Sequence, residues 1–228
     1  MSNGIIILGA TGPAGEMLAR DLCAADHKVW VMMRSDERKK EFEDMGATVV
    51  IGDAMDRDAM FSATQQAADA CDTVVNLIGG SPMNPPESWP DYTGNVNAID
   101  AAVGAGIGRF IFVTSVGTGS SWQYVPAEAF TRPILELKTK AEEHLHESGL
   151  RYCIIKPGGL WHSEQVSAED EPLVTENDSV RGILDRTQLV RIIGQVLADT
   201  KGRTDGKALY AVTYKINVFE GDATPFEF

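Results

Sequence analysis

The chain has 228 residues, 43% hydrophobic and 23% charged, enough apolar material for one sizeable core and too much for a disordered chain. Its net charge of −13 comes with no basic run, which argues against DNA or an anionic membrane surface as a direct partner, because phosphate binding needs a positive stripe. No apolar run reaches transmembrane length and no signal-type leader opens the sequence, so a soluble cytoplasmic protein is expected.

The first element is Ile5-Ile6-Ile7-Leu8, an apolar run that enters a turn with Gly9, Gly12 and Gly15 spaced G-x-x-G-x-x-G. Helical spacing follows at Met17, Leu18 and Leu22. A strand, a glycine turn and a helix in that order form the context of a dinucleotide-binding fingerprint. The first glycine permits the tight turn, the second lets backbone approach a pyrophosphate, and the third lets helix pack closely on strand. The N–H groups at the helix start then hold the phosphates. Lys28 to Met33 reads as the second strand, its nearly continuous apolar run fitting a parallel sheet covered on both faces. After such a strand an acidic residue takes a ribose 2′-hydroxyl and an arginine takes a 2′-phosphate. Arg34 and Ser35 stand there, with Arg38 one turn into the next helix, favouring NADP over NAD.

The alternation continues. Asp36 to Met45 reads as a helix, Thr48 to Ile51 as a strand followed by Gly52-Asp53 at a sheet edge, Asp58 to Ala68 as a helix, and Thr73 to Ile78 as a strand ending in Gly79-Gly80. Ser81 to Thr93, with Pro82, Pro85, Pro86 and Pro90, is a long loop without regular structure. Asn95 to Ala105 is helical, Arg109 to Thr114 is a strand running into Ser115, and Val116 to Arg132 is a second long loop. A helix from Ile134 to Glu147 and a strand from Arg151 to Lys156 precede Pro157-Gly158-Gly159-Leu160. Beyond Trp161 the chain is acidic and irregular until a helix over Arg186 to Asp199 and a short strand over Leu209 to Val212; the tail has no clear period. Strands alternating with helices make this an α/β protein with a parallel sheet.

Trp89, Trp122 and Trp161 fall in the loops after the fourth, fifth and sixth strands, where open α/β sheets bind their ligands. They either converge on that site or anchor their own loops. His162 lies in the same region as a candidate proton donor, whereas His27, His144 and His146 lie in or beside surface helices. Cys23, Cys71 and Cys153 are odd in number and far apart, which reads as buried free thiols in a reducing compartment. No His/Cys/Asp cluster has metal spacing, so no metal is expected.

In this order, GATGPAG, Arg34, Gly52-Asp53, the Thr114-Ser115 strand end, Lys138 and KPGGL (Lys156 to Leu160) resemble the atypical short-chain dehydrogenase/reductase family over about residues 4 to 214. The likeness is to its compact NAD(P)H-binding branch, which includes biliverdin-IXβ/flavin reductases and NmrA-like regulators. The resemblance implies a single Rossmann-type doubly wound parallel sheet over 1–228, with 157–185 and 200–228 contributing a small substrate lobe. It implies NADP(H) as cofactor. Gly9, Thr11, Gly12, Pro13, Ala14 and Gly15 would hold the pyrophosphate, and Arg34, Ser35 and Arg38 the 2′-phosphate. Asp53 and Ala54 would border the adenine, and Leu77, Ile78 and Gly79 its ribose side. Pro157, Gly158 and Leu160 would back the nicotinamide, Lys138 would bind its ribose, and Ser115 would face the substrate.

One departure from the family pattern matters. Proton transfer there uses a Ser and a Tyr-x-x-x-Lys pair, but Ile134 stands where the tyrosine is due. A tyrosine of lowered pKa is the usual acid/base for alcohol–ketone chemistry, and isoleucine cannot replace it. Either Tyr124 swings in, or the acceptor needs no protein acid, as flavins, quinones and linear tetrapyrroles do not; the biliverdin-IXβ/flavin reductases also lack the tyrosine. Three readings stay open: an NADP(H)-dependent reductase of a planar conjugated small molecule, a non-catalytic NADP-sensing regulator whose acidic surface meets a basic protein partner, and a sugar or steroid epimerase/dehydratase using Tyr124. Oligomerisation is compatible with each.

Overall fold

Gly4–Leu8 forms strand β1, and all five of its residues are buried. In the computed structural model, residues 4–81, 83–160, 170–218 and 221–228 are described, with backbone alone at 214–218. The burial of β1 has a simple cause: it lies mid-sheet between β2 (Val29–Met33) and β4 (Cys71–Asn76), with Ile7 opposite Val31 on one side and Val75 on the other. Helix α1 (Pro13–Ala24) follows the glycine turn, with Gly12 as N-cap and Pro13 at its first position, where the missing N–H costs nothing.

The remaining elements are α2 (Lys39–Asp44), β3 (Thr48–Ile51), α3 (Arg57–Ala67), α4 (Thr93–Gly104), β5 (Arg109–Val113), α5 (Arg132–Glu147), β6 (Arg151–Pro157), β7 (Gly159–Leu160), β8 (Leu173–Thr175), β9 (Val180–Leu184), α6 (Arg186–Ala198), β10 (Lys207–Val212) and β11 (Tyr214–Val218). The main sheet runs β3-β2-β1-β4-β5-β6-β10-β8, parallel from β3 to β10, with β8 antiparallel at one edge. Its order reverses between β1 and β4, the switch point where strand ends splay into a ligand crevice. One face buries residues of α1 and α6, such as Leu18, Leu22, Leu189 and Ile193, against Ile7, Val75 and Ile155. The other buries residues of α3, α4 and α5, such as Met60, Ile99 and Leu145, against Ile6, Val74 and Phe112. This is a Rossmann-type fold. A second, small sheet, β11-β9-β7, is built from C-terminal segments.

The stretch after Trp161 differs from its sequence reading. The irregular acidic segment contains β8 and β9, and the tail contains β11. These strands are short and flanked by acidic residues, so they carry little period of their own. Their conformation comes from pairing: Leu173–Thr175 on Val212, Ala211 and Tyr210, and Val180–Ile183 on 214–218. Helix α2 begins at Lys39 rather than Asp36, with Arg38 as its N-cap. The two long loops each hold a single 3-10 turn, Pro86–Ser88 and Gly119–Tyr124.

Candidate active site

The glycine turn separates into two roles. Gly9 has φ +80, and a Cβ there would come within 2.8 Å of the Leu77 backbone. A Cβ on Gly15 would run into the Gly9 carbonyl oxygen and lie 2.8 Å from Ala10 Cα. The fold itself therefore requires glycine at both positions. Gly12 is different. Its φ −75 and ψ 159 suit any residue, and a Cβ there would meet nothing closer than the Gly9 oxygen at 3.4 Å. The protein leaves open space in front of the α1 N-terminus, where first-turn N–H groups lack intrahelical partners. A pyrophosphate fits that cradle, and Thr11, Pro13 and Ala14 complete it.

At the end of β2, Arg34 and Ser35 are exposed, and no hydrogen bond or ion pair among the described residues engages the Arg34 side chain. Arg38 is placed otherwise. Its guanidinium meets Glu41 at 2.6 Å and Glu16 at 2.8 Å, and donates to Thr11 O at 3.3 Å. The hydrogen bonds to Glu41 and then Glu16 raise its already high pKa. Arg38 thus ties the glycine turn to α2, whereas the Arg34 guanidinium makes no such contact among the described residues. Beyond the edge strand β3, Asp53 Oδ1 accepts from Met55 N at 2.9 Å, and Ala54 O accepts from Asn97 Nδ2 at 2.8 Å. Across the switch point, Leu77 N donates to Leu8 O at 2.9 Å, carrying Ile78 and Gly79 past the glycine turn.

Beside this crevice a cavity of about 780 Å³ gathers Ser115, Tyr124, Lys138, Pro157, Gly158 and Leu160 from four separate stretches of chain. Ile134, only 4% exposed, forms part of its wall one helical turn before Lys138. Lys138 Nζ makes an ion-pair contact of 2.7 Å with Asp91 Oδ1, while Asp91 Oδ2 accepts from Gly80 N at 2.8 Å. The contact is not directed as a hydrogen bond, so Oδ1 is held by charge rather than by a donor. A Cβ on Gly79 would come within 3.0 Å of Lys138 Nζ, so the glycine gives the ammonium room against the backbone.

Below Ser115 lies a second, wholly buried pair. Lys156 Nζ and Glu142 Oε2 are 2.8 Å apart with both side chains 3% exposed. Thr114 and Thr118 hydroxyls donate to Glu142 Oε1 at 2.6 and 2.5 Å, and Lys156 also donates to Thr118 O at 3.1 Å. This network fixes the strand end that presents Ser115. Sequence reasoning missed it, and also missed Asp91; the available signal was a lysine ending an otherwise apolar strand, which needs a buried counter-charge.

Trp89 and Trp122 do not line the cavity. Trp89 packs with Ile134 and Leu135, its Nε1 donating to Asn84 O at 3.0 Å, and the Trp122 ring lies 4.1 Å from the Arg132 guanidinium. Both anchor their loops, as the apolar faces of α5 and its neighbours demand. Trp161 and His162 lie outside the described residues. Burial pushes the Cys71 and Cys153 thiols up to about 12, so neither is a nucleophile at neutral pH. Among the described residues no group of His, Cys, Asp and Glu could hold a metal, and no helix is long and apolar enough to cross a membrane. A second cavity, of about 660 Å³, opens at Ile5, Arg109 and Arg151, the amino ends of their strands and thus the end remote from the switch point.

A glycine cradle at a Rossmann switch point, with a lysine and a serine beside it, is consistent with an NAD(P)H-dependent oxidoreductase of the short-chain dehydrogenase/reductase type. The chain belongs to the NAD(P)H-binding family, which matches residues 9–200. The family binds NAD(P)H, and Arg34, exposed at the end of β2, stands where an arginine favours NADP(H). The chain is 29% identical over 192 residues to a Bacillus subtilis protein named uncharacterized sugar epimerase YhfK, covering 83% of this chain and 85% of that one. It is 30% identical over 184 residues to the chloroplast protein TIC 62 of Arabidopsis thaliana, covering 68% of this chain but 27% of that longer protein. Among solved structures it superposes with a TM-score of 0.79 on ChuY, an anaerobillin reductase from Escherichia coli O157:H7, at 25% identity, covering 92% of this chain and 97% of that one.

Proposed function

We propose that the protein reduces a planar, conjugated small molecule of the flavin, quinone or tetrapyrrole type at the expense of NADPH. NADPH held in the glycine cradle would supply a hydride, with its two electrons, and become NADP⁺. The acceptor takes its balancing proton from water. The observation that carries this reading is Ile134: an apolar, buried group stands in the cavity wall one turn before Lys138, where alcohol–ketone chemistry needs a tyrosine. An acceptor whose reduced form is protonated by solvent has no need of that group. In this reading Lys138 orients the nicotinamide ribose, Pro157, Gly158 and Leu160 back the ring and keep water from it, and Ser115 faces the acceptor. Of the segments 157–185 and 200–228 expected to form the substrate side, the described residues Pro157 to Leu160 and Arg181 line the cavity. The likeness to an anaerobillin reductase agrees with an acceptor of this class. Free Cys23, Cys71 and Cys153 agree with a reducing, cytoplasmic compartment.

A second reading has its own support. Tyr124 lines the same cavity as Ser115 and Lys138, and a relative is named a sugar epimerase. There Tyr124 would be the acid/base. The test is NADPH consumption with a flavin, a naphthoquinone and a linear tetrapyrrole, beside interconversion of nucleotide sugars. Consumption with at least one planar acceptor is expected. Sugar interconversion without it would favour the second reading, and tight NADPH binding with neither would leave a cofactor-sensing protein.

A further inference from the structure

The cavity carries a charge opposite to that of the whole protein. The chain has a net charge of −13, yet the charged side chains among the described residues lining this cavity are Lys138, Arg181 and Arg186, with no Asp or Glu. Lys138 is already matched by Asp91. The two arginines are not matched in this way. Arg181, from β9, donates to three backbone carbonyls, those of Asp178 at 3.0 Å, Val180 at 2.7 Å and Ser121 at 2.6 Å, and its guanidinium lies 5.3 Å from the Tyr124 ring centre. Carbonyl oxygens satisfy its hydrogens without neutralising its charge, and burial lowers its pKa below the ordinary arginine value, an effect that the nearby Asp178 carboxylate offsets only in part. Arg186 opens α6 and has no hydrogen bond or ion pair among the described residues. The N-cap Asp185 accepts from Thr187 N at 2.7 Å, so that carboxylate serves the helix start. The N-terminal dipole of α6 adds to the positive potential beside Arg186.

We infer that the acceptor carries an anionic oxygen group, a carboxylate or a phosphate monoester, and that Arg186, backed by Arg181, binds it at the cavity wall made by β9 and the start of α6. This rests on the cavity being the substrate site of the proposed reductase. A guanidinium fork matches either anion, and pairing in a half-buried wall is screened less than on the open surface. Much of the remaining wall is apolar, with Val116, Val125, Pro126, Ile134, Leu135 and Leu160 beside the hydroxyls of Ser81, Ser115, Tyr124 and Thr131. Phe130 is 69% exposed between the lining residues Ala129 and Thr131, and Met83 is 83% exposed near the lining residue Ser81. The recognised molecule therefore has an apolar planar body and an anionic end.

The experiment titrates the NADP⁺-loaded protein with two pairs of ligands that share a ring system and differ in charge: flavin mononucleotide against riboflavin, and biliverdin against its dimethyl ester. The first pair reads a phosphate, the second a carboxylate. The wild type should bind at least one anionic member about tenfold to a hundredfold more tightly than its neutral partner. Arg186→Gln should bring that ratio close to one, and Arg186→Lys should restore part of it. Equal affinities within both pairs, no binding of either anionic member, or a preference that survives Arg186→Gln would overturn the inference. Turnover of the same ligands is read separately. Charge-selective binding without NADPH consumption keeps the inference and rejects the reductase reading; consumption without charge preference does the reverse.

Discussion

Lys138 Nζ lies 2.7 Å from Asp91 Oδ1, and the Asp91 side chain is wholly buried. The lysine that would orient the nicotinamide ribose is thus itself held in place by a carboxylate from the loop before α4. Asp91 is in turn fixed by Gly80 N, and its carbonyl accepts from Asn95 Nδ2 at 2.8 Å. A chain of polar contacts therefore joins the end of β4 to α5 through the site.

Lys138→Ala consequently has two effects. It removes a cofactor contact, raising the Michaelis constant for NADPH and lowering turnover through lost geometry. It also strands a buried carboxylate, at a cost of about 3–5 kcal/mol in folding stability. The double variant Lys138→Ala/Asp91→Asn should regain most of that stability and none of the activity. Urea unfolding of the two variants separates the effects.

In the proposed account, Arg34 would set the choice of cofactor. Its contact with a 2′-phosphate is charge-assisted, on the order of 1.5–3 kcal/mol. Arg34→Ala should weaken NADPH by about tenfold to a hundredfold and leave NADH nearly unchanged. Arg38→Ala should discriminate less between the two cofactors, because Glu16 and Glu41 already hold that guanidinium. Calorimetric titration with both cofactors measures this, and equal losses in Arg34→Ala would contradict it.

The glycine turn gives a contrast between neighbours. Gly12→Val places side-chain atoms in the open cradle and should abolish dinucleotide binding while thermal unfolding stays cooperative. Gly15→Ala forces a Cβ against the Gly9 carbonyl and should destabilise the protein itself. Unfolding curves and NADPH titration of both variants test the distinction. Retained micromolar binding in Gly12→Val would make the turn purely structural.

The sequence shows the parts of this molecule that repeat. Strands β1 to β6 are apolar runs flanked by turn residues, and Arg34, Ser115 and Lys138 are legible because they follow strands or sit on a strongly amphipathic helix. What it hides is set by pairing at long range. Asp91 follows Pro90 in a proline-rich loop and looks like a solvated turn residue until α5 brings Lys138 to it. Arg181 and Arg186 carry no motif in the sequence, and it is the placing of β9 in the small sheet and of the α6 start after it that brings both to the cavity. The tryptophans left two readings open, and the structure decides for loop anchoring at Trp89 and Trp122. Their positions after strands suggested a ligand, but the apolar surface of Ile134 and Leu135 claims Trp89.

In the proposed reductase, hydride transfer would proceed without a protein acid at the position of Ile134. Tyr124 is the alternative donor, and Tyr124→Phe removes its hydroxyl while keeping the ring beside Arg181. A positioned general acid contributes about 10²- to 10⁴-fold. Steady-state kinetics of wild type and Tyr124→Phe, with a flavin or quinone acceptor and varied NADPH, measures that contribution directly. The expected loss of turnover is less than about tenfold, well below the range for a general acid. A loss of about a thousandfold with unchanged NADPH binding would make Tyr124 the acid and contradict the claim.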